Sequence, residues 1–179
     1  MKQYCPVCGN EQEVKLVKKE ETYPVKGEQI TIQATVCTCA QCGEELMSFE
    51  YDDDNLRKAY AEYRTRHGML QPHEIKAIRE KYGISQVNFA RIIGVGDKTI
   101  ARYENGSLQD EAINNLIMLA GDPKNFAQLL DKNEHLISPD EINRLRAYLG
   151  RVKVFAVWSN TSSGYTYDLS QEEPYVQFA

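Results

Sequence analysis

The sequence predicts an α+β protein: a small zinc-stapled β-ribbon domain followed by an all-α helix-turn-helix domain. Two Cys-x-x-Cys-Gly turns in the first fifty residues predict the ribbon and its metal. A later series of helix start and stop signals predicts the helical domain. We place a zinc-binding ribbon at residues 1–50, a linker helix at 51–69, a helix-turn-helix domain at 70–135, and an additional helix with an unassigned C-terminal tail at 136–179.

The metal prediction depends on the spacing of four cysteines, Cys5, Cys8, Cys39 and Cys42. Each Cys-x-x-Cys turn can aim two thiolates at one point, so two turns supply the four sulfurs of a tetrahedral Zn²⁺ site. The alternatives are two disulfides or a set of reduced core thiols. Because four thiolates leave no open position for water, we expect one structural ion per chain and no catalytic ion.

Cys37 is a fifth cysteine, two residues before Cys39, and it lacks the Cys-x-x-Cys spacing. It could be an alternative ligand, a redox-active neighbour or a spare thiol on the strand that leads into the second turn. We favour the spare thiol, since Cys39 and Cys42 already form a complete turn with their glycine.

Two strands are predicted between the turns, at residues 13–19 and 29–37, with a connection at 24–27. The second run alternates apolar and polar residues with a period of two. A ribbon of fifty residues is too small to fold securely on a hydrophobic core alone. Metal binding would therefore supply much of its folding free energy.

Composition limits the functional classes. The chain of 179 residues has a net charge of −5, which argues against indiscriminate binding to nucleic acid. Residues 1–50 hold eight acidic and five basic residues, so the ribbon is a poor ligand for phosphates. No apolar run approaches the roughly 18 residues of a membrane span. Paired thiols without an apolar signal-peptide core fit a reducing cytoplasm, and we expect no membrane partner.

Capping residues predict the helices. Asp54 is the expected N-cap of the linker helix at 55–67, Ser85 of the helix at 86–93, and Asp97 of the helix at 98–104. The predicted helices span residues 55–67, 72–82, 86–93, 98–104, 111–120, 123–132 and 139–149, and a strand is expected at 152–158.

Residues 86–104 meet the steric requirements of a helix-turn-helix unit. With Gln86 at position one, the small residue at the helix crossing is Ala90 and the turn glycine is Gly94. The inner faces are apolar, with Phe89, Ile93, Val95, Ile100 and Tyr103. This joint spacing predicts a helix-turn-helix unit that binds DNA.

The second helix of the unit would enter the major groove, with Lys98, Thr99 and Arg102 outward near the bases. Ser85 and Gln86, at the start of the preceding helix, are candidates for phosphate contacts, and Arg91 is a further one. The alternative is that the charged residues are ordinary solvated side chains. We call these six residues the DNA-reading surface.

Two Cys-x-x-Cys-Gly turns followed by this helix-turn-helix resemble the MqsA/YgiT-type zinc-finger/helix-turn-helix antitoxins, over roughly residues 1–135. The segment 94–106 looks like that family's recognition helix and closing turn, with Arg102 at a base-reading position and Lys98 where some members have asparagine. The resemblance implies a zinc-bound domain that engages a toxin. It also implies a helical domain that dimerises and represses its own operon.

Two functions compete on the sequence alone. One is the antitoxin and autorepressor of a type II toxin-antitoxin system. The other is a stand-alone transcription regulator with a structural zinc ribbon and no toxin partner. An enzyme is not expected, because the three histidines, His67, His73 and His135, are scattered and form no catalytic pattern.

Overall fold

The computed structural model describes residues 1–154, in which a four-stranded antiparallel sheet precedes seven α-helices and one 3₁₀ turn. The strands are β1 (Lys2–Cys5), β2 (Asn10–Val25), β3 (Glu28–Cys39) and β4 (Glu45–Leu46), and they lie side by side in that order. The helices are α1 (Phe49–Arg66), α2 (Pro72–Lys81), α3 (Gln86–Ile93), α4 (Thr99–Glu104), α5 (Glu111–Ala120), α6 (Pro123–Asn133) and α7 (Pro139–Val154). The predicted α+β fold class is confirmed.

The sheet is built around a long hairpin of β2 and β3. We call the four strands β1 to β4 together the ribbon. Pairing runs from Val14 opposite Cys39 to Val25 opposite Glu28. Lys26 and Gly27 close it in left-handed conformations, with φ of 49° and 86°, as a tight hairpin turn requires. Both strands are longer than predicted. Pro24 belongs to β2 and not to the connection, because an open strand edge tolerates a missing N–H.

Helix α1 packs across β3. Ala59 is fully buried against Val25 and Ile30 of the hairpin. The helix begins at Phe49 after the N-cap Ser48, so the prediction of Asp54 as N-cap is wrong. The acidic residues 52–54 instead lie within the first two turns, where negative charge suits the helix dipole.

The helical domain packs α2 to α7 around one core, whose largest fully buried apolar side chains include Phe89, Phe126 and Ile100. Helix α3 spans the predicted residues. The Ser85 hydroxyl accepts a hydrogen bond from the Asn88 N–H at 3.1 Å, and Gly94 ends the helix with φ of 79°. The helices within residues 1–154 are all too short or too polar to span a bilayer.

Helices α4 and α7 also differ from their predicted bounds. Helix α4 begins at Thr99, with Lys98 as its N-cap, because the Asp97 carboxylate accepts hydrogen bonds from Arg91 instead of capping the helix. Helix α7 continues to Val154, so the predicted strand at 152–158 is wrong for residues 152–154, which are helical. Residues 155–158 lie outside the described residues.

Candidate metal centre and nucleic-acid interface

The four predicted cysteines meet at one end of the ribbon, with all their sulfurs within 4.8 Å of one another. Cys5 Sγ lies 3.5 Å from Cys42 Sγ, and Cys8 Sγ lies 3.9 Å from Cys39 Sγ. A tetrahedral zinc with Zn–S bonds of about 2.3 Å separates its sulfurs by about 3.8 Å. The thiols are free of disulfides, and their spacing fits one structural Zn²⁺ held by four thiolates.

Backbone geometry at the two turns explains why glycine follows each pair. The Gly9 N–H donates to the Cys5 carbonyl and the Gly43 N–H to the Cys39 carbonyl, each at 2.9 Å. Both glycines have left-handed backbones, with φ of 73° and 79°. Cys5 and Cys39 end β1 and β3, and sheet pairing therefore brings the two turns together.

The thiols differ in acidity. Hydrogen bonds from the backbone of Cys42 and Gln41 outweigh burial and lower the pKa of Cys39 to about 7. The hydrogen bond with the Cys42 side chain, with burial, raises the pKa of Cys8 to about 12. Ionising one thiol thus disfavours ionising its neighbour. A divalent cation is what allows four thiolates to coexist, so metal binding releases protons.

Cys37 lies outside the four-thiol group. It is buried on β3, where it pairs with Leu46 of β4 and packs in the small apolar cluster beneath the turns. This position agrees with the interpretation of Cys37 as a spare thiol on the strand that leads into the second turn.

The six residues predicted to form the DNA-reading surface lie on α3, on α4 and immediately before these two helices. The side chains of Lys98 and Arg102 are exposed, and within residues 1–154 neither side chain forms a hydrogen bond or ion pair. Thr99 is half-buried, and Ser85 is exposed at the start of α3. The two unpaired cations are therefore available to an external ligand.

Two predicted phosphate contacts have partners within the protein. The Gln86 amide donates to Glu104 at 2.7 Å. The Arg91 guanidinium donates to both oxygens of Asp97, at 3.1 and 2.9 Å. The Arg91 pair is partly exposed and therefore weak, so a phosphate can compete for Arg91.

A largely buried ion pair that the sequence did not predict anchors helix α4. Arg79 of α2 donates to Glu104 of α4 in a two-pronged arrangement, at 2.6 and 2.9 Å, and also to the Ile84 carbonyl. Burial raises the pKa of Glu104, but the hydrogen bonds from Arg79 and Gln86 outweigh it and hold that pKa below its usual range. The partners are 25 residues apart, so no local pattern reveals them.

Four further polar side chains that the sequence analysis did not select are buried: Asn55, Arg64, Gln109 and Asn114. The Asn55 amide pairs with the backbone N–H and carbonyl of Thr35, at 2.9 and 2.8 Å. It thereby satisfies part of the edge of β3. The only signal in the sequence is a polar residue on the inner stripe of α1.

Comparison with known families gives a match over most of the chain. A family model described as "Antitoxin component of bacterial toxin-antitoxin system, MqsA" covers residues 1–138, which includes both cysteine turns and helices α1 to α6. Helix α7 lies beyond the matched residues. No curated protein matches the chain. The suspected family is thus confirmed: the chain belongs to the MqsA family, the antitoxin component of bacterial toxin-antitoxin systems.

Proposed function

We propose that this antitoxin is also a sequence-specific DNA-binding repressor of its own operon. The observation that carries the proposal is a pair of exposed cations with unpaired side chains, Lys98 at the N-cap of α4 and Arg102 within α4. The helix that presents them is anchored by the Arg79–Glu104 pair. A rigid helix with free donors on its outer face is what reading base edges in the major groove requires.

Each residue of the DNA-reading surface has a proposed role. Arg102 and Lys98 donate to guanine O6 and N7, and Thr99 contacts a thymine methyl. Ser85 and the backbone N–H groups at the start of α3 meet phosphates. Arg91 releases Asp97 and binds a phosphate in its place. The Gln86 side chain also holds Glu104 through its hydrogen bond.

A homodimer through the helical domain is supported by an apolar surface at the end of α5. Met118 and Leu119 are 48% and 57% exposed there, in a domain whose other large apolar residues are mostly buried. A second copy packed against this surface by two-fold symmetry would cover both side chains. The two recognition helices would then read half-sites about one helical turn apart, roughly 34 Å.

The family implies a toxin partner, and we propose that the ribbon binds it. Strand β1 covers β2 only over Asn10–Glu13, so within the described chain the same edge of β2 is open from Lys15 onward. An open edge accepts an extended segment of a partner as an added strand. The ribbon carries excess acid, and its four zinc thiolates add negative charge, which favours a basic partner such as an RNA-cleaving toxin.

We infer a binding protein and not an enzyme, since antitoxin regulators are generally non-enzymatic and the metal shell is closed by four thiolates. The free thiols fit the reducing cytoplasm. The competing function is a stand-alone regulator whose zinc ribbon has no toxin partner.

Footprinting over the promoter of the protein's own gene tests repression. Two protected half-sites about 34 Å apart are expected. A single half-site, or no protection at low salt, would contradict dimeric operator binding.

Expression of the adjacent gene tests the toxin partner and separates the two functions. The adjacent product alone should arrest growth, and co-expression of this protein should restore it. An adjacent product that is harmless and does not bind the protein favours the stand-alone regulator.

A further inference from the structure

Arg64, near the end of α1, is a fully buried cation, with 1% of its surface exposed. Its Nε donates to the Gln109 side-chain oxygen, and its Nη2 donates to the carbonyls of Gly106 and Ser107, all at 2.9 Å. Within residues 1–154 no carboxylate pairs with it, so neutral oxygens alone stabilise the charge. Burying an arginine in this way is costly unless every contact is made, so the site demands a fixed backbone around it.

The carbonyls that Arg64 binds belong to the turn that ends the recognition helix. The Gly106 N–H donates to Tyr103 and the Ser107 N–H to Arg102, at 3.1 and 3.0 Å. Gly106 has φ of 100°, a conformation that favours glycine. Helix α4 has only six residues and few internal hydrogen bonds, so its orientation depends on how this turn is held.

Gln109 and Asn114 extend the contact to α5. The Gln109 amide donates to the Leu70 carbonyl at 2.6 Å, and the Asn114 side-chain oxygen accepts from the Leu70 N–H at 2.8 Å. Gln109 and Asn114 also bond to each other at 3.3 Å. We call Arg64, Gln109 and Asn114 the polar clamp. It joins the end of α1, the turn after α4 and the first turns of α5.

The same helix is anchored in the ribbon through Asn55 and Ala59. Arg64 lies nine positions after Asn55, a span of about 14 Å along a rigid helix. A second connection runs from the hairpin turn, where Lys26 Nζ contacts the Gln109 carbonyl at 3.2 Å and Asp110 at 3.3 Å. Helix α1 therefore contacts the ribbon through Asn55 and the turn after the recognition helix through Arg64.

We propose that Arg64 is a positioning residue for DNA binding: it fixes the turn at residues 105–107 and so sets the recognition helix relative to the zinc ribbon. Its consequence for the operator rests on the proposed DNA-binding function. Because Arg64 is buried, it acts without touching DNA. A change at the ribbon that shifts α1 would reach the recognition helix through this contact.

The test compares Arg64→Met with Arg66→Met in the full-length, zinc-loaded protein. Arg66 is on the same helix but pairs with the exposed carboxylates of Glu62 and Glu28, and so serves as a matched control. Hydrogen exchange at the Gly106 and Ser107 amides should accelerate on the order of tenfold in Arg64→Met and remain unchanged in Arg66→Met. Unchanged exchange in Arg64→Met would overturn the proposal.

Operator binding provides the second measurement, with a duplex of the protein's own promoter as the probe. Arg64→Met should bind on the order of tenfold more weakly, Arg64→Lys should recover part of the loss, and Arg66→Met should match the wild type. Equal binding by Arg64→Met and wild type would contradict the positioning role. If wild type itself does not bind, the proposed function fails and the exchange measurement alone judges Arg64. If Arg64→Met does not fold, Arg64→Lys is judged by the same two measurements.

Discussion

At the scale of single residues, the chemistry is divided between thiols that hold a metal and cations that remain free. Cys39 has a lowered pKa because backbone N–H groups face its sulfur, whereas Cys37 lies two residues away in an apolar cluster. Two cysteines on one strand therefore have different roles. Whether a cysteine belongs to a Cys-x-x-Cys turn determines which role it has.

Substitution of these two cysteines distinguishes ligand from core thiol. Cys39→Ser should release zinc and unfold the ribbon, since metal binding supplies much of its folding free energy. Cys37→Ser should keep one zinc per chain and lose stability modestly, by about 1–2 kcal/mol, because a hydroxyl replaces a buried thiol. Metal analysis and thermal unfolding of both purified variants measure this. Zinc retained by Cys39→Ser but lost from Cys37→Ser would reverse the assignment.

Arg102 and Arg91 should differ in the kind of DNA binding they support. Arg102→Ala should cost about 1–3 kcal/mol on the operator and relax preference at one base position. Arg91→Ala should weaken binding to every sequence alike and reduce the salt slope by about one, as loss of a phosphate contact does. Titrations on operator and scrambled duplexes across a salt series separate the two. An unchanged salt slope in Arg91→Ala would show that Asp97 keeps Arg91 from phosphates.

At the scale of elements, the sequence predicted best where both ends of a helix carry their own signals. Helix α3 lies between Ser85 and Gly94, which act locally, and its bounds were correct. Helix α1 begins at Phe49, with Ser48 and not Asp54 as its N-cap, because three consecutive acids suit the first turns of a helix as well as a cap. The Arg79–Glu104 pair and the polar clamp were missed, since their partners are distant in sequence and several are backbone carbonyls.

The largely buried Arg79–Glu104 pair should make the helical domain sensitive to acid. The pKa of Glu104 is lower in the folded protein than the usual value of about 4.3. Its contribution to stability is therefore complete above that value and is lost as pH falls through the lowered folded pKa. Glu104→Gln should remove this pH dependence and destabilise the domain at neutral pH by roughly 3 kcal/mol, because Arg79 is left unpaired.

Denaturant unfolding at several pH values between neutral and strongly acidic measures this effect. Wild type and Glu104→Gln should converge in stability at the acidic end. Parallel pH profiles for the two proteins would show that another carboxylate dominates acid unfolding.

The end of α5 should control oligomeric state. Leu119→Glu places a charge on the proposed dimer surface and should convert dimers to monomers without unfolding, because Leu119 is 57% exposed in the single chain. Sedimentation analysis measures the mass, with Leu136→Glu, another exposed apolar position at 45%, as the control. A dimer that survives Leu119→Glu would place the interface elsewhere.

At the scale of the whole molecule, the structure shows more connection between ribbon and helical domain than the sequence suggested. A linker helix was predicted, which would let the ribbon act at a distance from DNA. Helix α1 instead contacts β3 through Asn55 and the turn after α4 through Arg64. Polar residues on the buried side of a helix do not identify the residues that they contact. The sequence alone therefore could not reveal that the two parts share one helix.

The central claim is that this antitoxin recognises its own operator, and the specificity ratio tests it most directly. The dissociation constants of the full-length, zinc-loaded protein should be measured at physiological salt on a duplex of its own promoter and on a scrambled duplex of equal length. The account predicts binding to the promoter tighter by about 10³ or more, with two chains per site. Equal affinity for the two duplexes would show that the exposed cations of α4 bind only phosphates, and would contradict the account.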